Sequence, residues 1–319
     1  MSSKGQPFST SLPRGGLPAT YGGIAVGVLA VSTAALFIRF AQAAGVPSLV
    51  IAAYRLTLAS LLLVPLAAWP RRAELKALTR RQVLLGLLSG AFLGVHFASW
   101  ISSLAYTSVA SSVVFVSTSP LFVALLSAVV LRERLSRMVL AGMGLTLAGA
   151  VIVALSDVCS RGCPSLRKLV GGPAFWGDAL ALAGAVAGAI YLSAGRALRP
   201  TMSLGSYIFM SYGTAAVVLC AAVLAARLPV ASFPPQALVW LVLLALIPQL
   251  VGHSAFNWAL RYLPATYVSV TVLGEPVGSI VLAALFLKEV PSGLKLIGCA
   301  CILGGIVLAS LRARGGQNR

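Results

Sequence analysis

Long apolar stretches, separated by short polar segments, make up most of this chain. Ten such stretches can be counted, and each has about the length that crosses a bilayer as an α-helix. They cover roughly residues 21–40, 48–69, 83–105, 108–131, 136–156, 175–196, 203–227, 237–260, 264–287 and 291–311. The short alternating segments typical of a membrane β-barrel are absent from the sequence. The pattern therefore predicts an all-α integral membrane protein with ten transmembrane helices, because a helix satisfies its own backbone hydrogen bonds in lipid.

The composition agrees with a membrane location and limits the classes of molecule that this protein is expected to bind. Of the 319 residues 59% are hydrophobic and 9% are charged, and the mean hydropathy is +0.97, which leaves too little charge to cover a soluble domain. A net charge of +18 would suggest a nucleic-acid partner for a soluble protein, but no basic cluster with interleaved aromatic residues is present. We expect the lipid bilayer and a small-molecule substrate as partners, and no nucleic acid.

The distribution of Lys and Arg predicts the orientation. If the N-terminus is cytoplasmic, the segments on that side carry 16 of these residues, the outer segments carry seven, and Arg55 is left inside a span. This excess favours an inner-membrane protein with both termini in the cytoplasm, although the bias is small in the second half. Residues 1–20 and 312–319 are then cytoplasmic tails, of which the first is predicted to be disordered.

An internal repeat divides the chain into two halves. When the sequence is shifted by 156 positions, residues 102–154 overlie residues 258–310, and 15 of 53 positions are identical. The matched pairs include Tyr106/Tyr262, Pro120/Pro276, Glu133/Glu289, Ser136/Ser292, Gly142/Gly298 and Gly149/Gly305. A unit of five spans must reverse its direction in the second copy. We therefore predict two inverted five-helix repeats, 21–156 and 175–311, joined by an outer loop at 157–174, an arrangement typical of secondary transporters.

The segments 103–136 and 248–292 carry the same features in both halves: a Tyr-x-x-x-(Ala/Thr) helix start, a proline within the helix, and a Lys/Arg-Glu helix end. In these features the sequence from 21 to 311 resembles the EamA-type family of the drug/metabolite transporter superfamily. The resemblance implies ten helices, two inverted repeats and the transport or export of small organic metabolites. It does not identify a substrate.

An acidic residue within a span is a candidate for function, because a buried charge is costly in the bilayer unless it is paired, protonated or lines a cavity. Glu275 lies near the middle of the ninth span, directly before Pro276, which removes a backbone donor. Thr271 lies four residues earlier and thus on the same helix face. Glu275 is interpreted as a protonatable or substrate-contacting carboxylate, or alternatively as a structural carboxylate at a kink.

Three further ionisable residues lie within spans. Arg55 is predicted either to neutralise Glu275, to hold a substrate carboxylate, or to extend to the outer surface. His96 shares a helix face with Trp100, and His253 shares one with Gln249 and Asn257. The two histidines are candidates for a proton relay or for interhelical hydrogen bonds.

Small residues complete the set of candidates. Ser119 overlies Glu275 in the repeat and precedes Pro120, so it either lines a cavity or packs helices. The Gly-x-x-x-Gly spacings of Gly86, Gly90 and Gly94, and of Gly184 and Gly188, are predicted packing surfaces. Glu289, next to Lys288 at a helix end, is predicted to form an interfacial ion pair.

Cys159 and Cys163 lie in the predicted outer loop and are candidates for a disulfide in an oxidising periplasm. A metal site is not predicted, because neither His nor a further Cys is nearby. No cofactor is expected.

The sequence thus favours a secondary transporter, specifically an exporter of small organic metabolites such as amino acids or drug-like solutes, with proton coupling as one option. No phosphate-binding Gly-x-x-x-x-Gly-Lys-Ser/Thr motif is present to bind ATP, and no catalytic motif suggests an enzyme. The alternatives are a carrier of sugar phosphates or nucleotide sugars, which would need more basic residues in the cavity, and a passive facilitator.

Overall fold

Regular structure in the computed structural model is entirely helical over the residues it describes, which are 16–131, 137–159, 172–259 and 271–311. Fourteen α-helices lie in these ranges. In chain order they are α1 Gly16–Ser32, α2 Ala34–Ala43, α3 Ser48–Leu63, α4 Arg72–Lys76, α5 Arg80–Ser103, α6 Val109–Val116, α7 Ser119–Leu131, α8 Arg137–Cys159, α9 Pro173–Leu198, α10 Leu204–Ala225, α11 Pro235–Leu244, α12 Ser254–Ala259, α13 Gly274–Leu282 and α14 Gly293–Leu311. Three π-helical segments extend α3, α11 and α13, at Val64–Ala68, Ala245–His253 and Ala283–Leu287.

The helices agree with a membrane-spanning protein. Seven stretches in the described residues have the length and hydropathy needed to cross a bilayer. Three further apolar stretches are shorter, at Arg137–Val153, Gly274–Leu287 and Gly293–Leu308. The prediction of an all-helical, multi-pass protein is therefore confirmed in the described residues, whereas ten full crossings remain a prediction.

Local sequence signals explain where several helices begin. Thr79 and Gln82 form a reciprocal capping box at the start of α5, and the Ser203 hydroxyl accepts the Ser206 amide hydrogen at the start of α10. Pro173 begins α9, where a missing N–H costs nothing. Helix α1 begins at Gly16, so the prediction of a disordered tail is wrong for residues 16–20, which are helical. The proline at position 18 falls in the first turn of the helix, where it is tolerated.

Several predictions for the termini and the central loop concern residues outside the described ranges. These are the disorder of residues 1–15, most of the loop at 157–174, and the tail at 312–319. Cys163 is also outside them, so the Cys159–Cys163 disulfide stays a prediction. Helix α8 continues to Cys159 and so includes the first residues assigned to that loop.

Helix α5 joins the two halves of the chain by close packing on α9 and α10. A Cβ atom added at Gly90 would lie 2.6 Å from the Ser211 carbonyl oxygen of α10. One added at Gly184 of α9 would lie 3.3 Å from the His96 carbonyl oxygen of α5. The Gly-x-x-x-Gly spacings therefore act as packing surfaces, as predicted, because only glycine lets these backbones approach so closely.

The crossing of α8 and α14 repeats the sequence symmetry in space. A Cβ at Gly149 would lie 2.7 Å from the Gly298 carbonyl oxygen, and a Cβ at Gly298 would lie 2.9 Å from the Gly149 carbonyl oxygen. Gly305, the repeat partner of Gly149, meets the carbonyl oxygen of Gly142, the repeat partner of Gly298. The matched glycines of the two halves thus form one contact.

Polar contacts tie the halves together at both ends of the bundle. At the end predicted to face outside, Arg39 of α2 forms an ion pair with Glu289 at an N···O distance of 2.5 Å and donates to the Leu104 carbonyl oxygen. Glu289 also accepts the Val109 amide hydrogen at 3.0 Å. The predicted ion pair of Glu289 is therefore made with Arg39 of the other half, 250 residues away in sequence.

At the opposite end, Glu74 of α4 accepts both the amide hydrogen and the hydroxyl hydrogen of Ser203, at 2.7 and 2.6 Å. Partial burial opposes ionisation of Glu74, but the hydrogen bonds from Ser203 outweigh it and hold the pKa of Glu74 below its usual value. The short loop helix α4 is thereby fixed to the first turn of α10.

Candidate functional site

Two helix breaks lie at equivalent positions of the repeat. Helix α6 ends at its C-cap Ser117, and α7 begins at Ser119. In the second half the chain is interrupted at Leu273, 156 positions after Ser117, and α13 begins at Gly274. Pro120 and Pro276, which cannot donate a backbone hydrogen bond, follow the two breaks. Discontinuous helices of this kind free backbone groups at membrane depth and occur where they line a cavity.

A cavity of about 130 Å³ lies between these breaks. Its wall includes Ser117 and Pro120 from the first half and Val272 and Leu273 from the second. Helices α5 and α9 and the segment around the α11–α12 junction complete the wall, which is mainly apolar. Six of the nine predicted candidates line it, namely His96, Trp100, Ser119, His253, Asn257 and Glu275.

His96 is fixed against the glycine face of α9. Its Nδ1 lies 2.8 Å from the Gly184 carbonyl oxygen. A carbonyl oxygen can only accept, so Nδ1 carries the hydrogen, and Nε2 of the neutral ring is left as an acceptor. A Cβ at Gly188 would lie 2.9 Å from Nδ1, so glycine is required there for the ring to occupy this position. Helix α9 therefore sets both the tautomer and the orientation of His96.

Ser119 packs on the same stretch of α9. Its hydroxyl lies 3.0 Å from the Ala185 carbonyl oxygen and 2.9 Å from that of Val116 in the preceding turn. It contributes a small polar patch to the cavity wall while it satisfies backbone groups near the α6–α7 break.

Asn257 and Tyr191 form a second polar pair. The Asn257 amide donates to the Tyr191 hydroxyl oxygen at 3.0 Å and also lies 2.9 Å from the His253 carbonyl oxygen. Both side chains are buried and line the cavity. A hydroxyl and an amide in this arrangement retain capacity to bind polar groups of a solute.

Glu275 is the acidic side chain in the described cavity wall. It is half-buried, and its carboxylate makes no hydrogen bond to another described residue. Arg55 interacts with it electrostatically but lies outside ion-pair distance. A carboxylate that faces the cavity without a fixed partner is able to bind a cation, a proton or a donor group of a solute.

Arg55, Gln249 and Thr271 do not line the cavity. Arg55 is fully buried, and its Nε donates to Gln249 Oε1 at 2.8 Å. Its Cζ lies 4.1 Å from the centroid of the Phe97 ring, so the side chain points into the protein. The option that Arg55 extends to the outer surface is therefore wrong: the Gln249 carbonyl group and the Phe97 ring hold it inside.

Two residues of the wall were not predicted as candidates by charge or repeat position. These are Tyr191 and Arg196, both on α9. Gly188, Leu192 and Arg196 are spaced four apart on α9, so all three lie on the face that lines the cavity. That spacing is the signal in the sequence that identifies Arg196.

Comparison with known proteins identifies relatives that are transporters. The sequence profile of the EamA-like transporter family matches residues 20–155 and 175–311. The chain is 27% identical to an uncharacterized transporter, YetK of Bacillus subtilis (strain 168), over 247 residues, which are 75% of this chain and 71% of that protein. It is also 27% identical to a probable terminal-alkyne amino-acid exporter of Streptantibioticus cattleyicolor over 205 residues, 63% of each chain.

A solved crystal structure superimposes with a TM-score of 0.62 and covers 93% of this chain and 98% of the other. The two sequences are 23% identical, so this similarity concerns the fold alone.

Proposed function

Because this chain belongs to the EamA-like transporter family, we propose that its cavity is the binding site of a secondary transporter that exports small organic metabolites. The two helix breaks at Ser117 and Leu273 support this most directly. They lie 156 residues apart, one in each half, and both open into the same cavity. A site between two repeat halves can be exposed to either side when the halves move against each other.

The proposed arrangement in the membrane is two inverted units, 21–156 and 175–311, with ten crossings in an inner membrane and both termini in the cytoplasm. The glycine crossing of α8 and α14 and the equivalent breaks support this division. The three shorter apolar stretches would form the fifth, ninth and tenth crossings together with their flanking residues.

Amino acids and drug-like solutes are the proposed substrate classes. The mainly apolar wall suits an apolar body, while Glu275, Asn257 and Tyr191 offer polar contacts. The similarity to a protein named as an amino-acid exporter supports the same class. Arg196 is the basic residue in the described wall, which does not favour a sugar phosphate, because phosphate sites use several Lys or Arg side chains.

We further propose that Glu275 carries the coupling proton, with His96 and His253 nearby as relay groups. Purified protein in proteoliposomes would be screened for saturable counterflow of radiolabelled amino acids and drug-like cations, with and without an imposed pH gradient. We expect the gradient to accelerate transport by the parent protein, and this acceleration to be absent in Glu275→Gln.

Glu74→Gln provides the matched control, because it makes the same change outside the cavity and should retain the response. Transport that ignores the gradient, together with full activity of Glu275→Gln, would disprove proton coupling. Flux that does not saturate and shows no counterflow would instead indicate a passive facilitator.

A further inference from the structure

Four buried hydrogen-bond donor atoms without partners lie beside the cavity. They are Nη1 and Nη2 of Arg55, Nε2 of Gln249 and Nε1 of Trp100. None of them makes a hydrogen bond of good geometry to a described residue, although the Tyr212 hydroxyl group lies near the Gln249 amide and interacts with it. Arg55 and Gln249 are completely buried, and Trp100 is 2% exposed. An unpaired buried donor destabilises the fold, and a charged one does so more strongly, so a bound ligand that accepts these hydrogen bonds would stabilise the cluster.

The distances place these donors in one cluster. The Arg55 Nε–Gln249 Oε1 hydrogen bond of 2.8 Å fixes the Gln249 amide beside the guanidinium group. The Arg55 Cζ atom lies 5.9 Å from the centroid of the Trp100 ring. The Phe97 ring, 4.1 Å from Cζ, packs against the guanidinium face and offers the two Nη atoms no hydrogen-bond acceptor.

The cluster borders the cavity directly. Trp100 belongs both to the cluster and to the cavity wall. The His253 ring, also in the wall, lies 5.3 Å from the Phe97 ring, and His253 ends the π-helical segment that carries Gln249. The Arg55 Nη atoms therefore lie behind the Trp100 and His253 side chains, which must move aside for a solute in the cavity to reach them.

We propose that Arg55, Gln249 and Trp100 form an anion site that binds the carboxylate of the transported solute, whose apolar body occupies the adjoining cavity. This inference rests on the proposed transport function. Only donor atoms are unsatisfied in the cluster, which selects an anion over a cation or a neutral acceptor-poor group. The paired Nη atoms match the two oxygens of a carboxylate better than a spherical halide, because Arg binds carboxylates through two parallel hydrogen bonds.

The test compares ligands that differ only in charge. Purified full-length protein in nanodiscs is titrated with 3-phenylpropanoate, with its neutral amide 3-phenylpropanamide, and with chloride. The ionic strength is kept constant, and the buffer contains no gluconate, because this carboxylate would compete for the site. Binding is followed by thermal shift and calorimetry. We expect the carboxylate to bind at least tenfold more tightly than the amide, which corresponds to about 1.4 kcal/mol.

Substitutions then assign the effect to the cluster. Arg55→Gln should abolish the preference for the carboxylate, and Arg55→Lys should retain part of it, because Lys keeps the charge but lacks the two-pronged geometry. Arg137→Gln is the matched control, since it removes one exposed arginine at the start of α8 and should leave the preference intact. If Arg55→Gln does not fold, Trp100→Phe removes one donor while it keeps an aromatic ring, and should reduce the preference by a smaller factor.

Each outcome separates this inference from the transport function. Equal binding of carboxylate and amide by the parent protein overturns the anion site, and so does a preference that survives Arg55→Gln or that is unchanged in Trp100→Phe. Stabilisation by chloride that requires Arg55, with no preference for the carboxylate, also overturns it in favour of a free anion. Carboxylate binding that requires Arg55 but leads to no counterflow would support the site and disprove the transport proposal.

Discussion

The close contact between His96 and Gly188 leads to a prediction for Gly188→Ala. This substitution should change the shape of the cavity, and thus substrate binding, without changing the stability of the protein. In Gly188→Ala the new Cβ would lie 2.9 Å from His96 Nδ1 and 3.2 Å from the Ser119 hydroxyl oxygen. Both side chains must then move by some tenths of an ångström. The hydrogen bonds of these side chains to the Gly184 and Ala185 carbonyl oxygens would be stretched from 2.8 and 3.0 Å.

The magnitude follows from two opposing effects. An interhelical hydrogen bond in a membrane averages about 0.6 kcal/mol, so losing both costs about 1.2 kcal/mol. Replacing Gly by Ala within a helix favours the folded state by about 1 kcal/mol. The melting temperature of Gly188→Ala should therefore stay close to that of the parent. The displaced His96 ring should instead raise the KM for transport roughly 3- to 7-fold, the factor that corresponds to about 0.6–1.2 kcal/mol.

Gly213→Ala is the control for helix propensity. Gly213 lies within α10, and a Cβ there meets no atom within 4 Å. This variant should melt at a higher temperature with an unchanged KM, as measured by counterflow in proteoliposomes and by thermal unfolding. If Gly188→Ala also keeps the parent KM, or if both variants change it alike, the contact between His96 and Gly188 does not shape the binding site.

Two further predictions concern the ends of the bundle. Since hydrogen bonds from Ser203 hold the pKa of Glu74 below its usual 4.5, ionised Glu74 stabilises the fold above that pH, and this stabilisation is lost as the pH falls through the lower folded value. Glu74→Gln should therefore melt below the parent at pH 7, and the gap should narrow below pH 4.5; a gap independent of pH in thermal unfolding would contradict this. At the other end, Arg39→Gln and Glu289→Gln should be coupled by about 1 kcal/mol in a double-mutant cycle, because each leaves the half-buried partner unpaired. Additive effects would show that the ion pair contributes nothing of its own.

The repeat is the feature of the sequence that predicts most of the site. The offset of 156 placed Ser119 over Glu275 and Phe97 under His253, and in the structure the first pair flanks the two helix breaks while the rings of the second pair lie 5.3 Å apart. The offset of the repeat therefore identifies residues that occupy corresponding positions in the two halves of the sequence.

The direction in which a side chain points from its helix is much harder to predict from the sequence than its position along the repeat. The sequence leaves three alternative roles open for Arg55, because its orientation depends on Gln249, 194 residues away, and on the Phe97 ring of a third helix. For the same reason the sequence indicates Lys288 as the neighbour of Glu289 and does not reveal Arg39, its ion-pair partner. Contacts across large sequence separations are set by how helices pack, and an apolar helix in lipid has no polar stripe that reveals its inward face.

Contacts between the two halves tie both ends of the bundle, but the described cavity extends toward one of them. The cavity extends to the exposed side chain of Arg196, near the end of α9 predicted to be cytoplasmic. The opposite end is tied by the Arg39–Glu289 ion pair and by a hydrogen bond of 2.9 Å from Lys295 to Ser108. Both contacts join different halves of the chain, so movement of one half against the other must break them before the cavity can open on that side. Partly exposed ion pairs contribute only about 0–1 kcal/mol each, because water replaces the lost contacts. The Arg39–Glu289 ion pair can therefore open at a cost that the binding of a solute is able to supply.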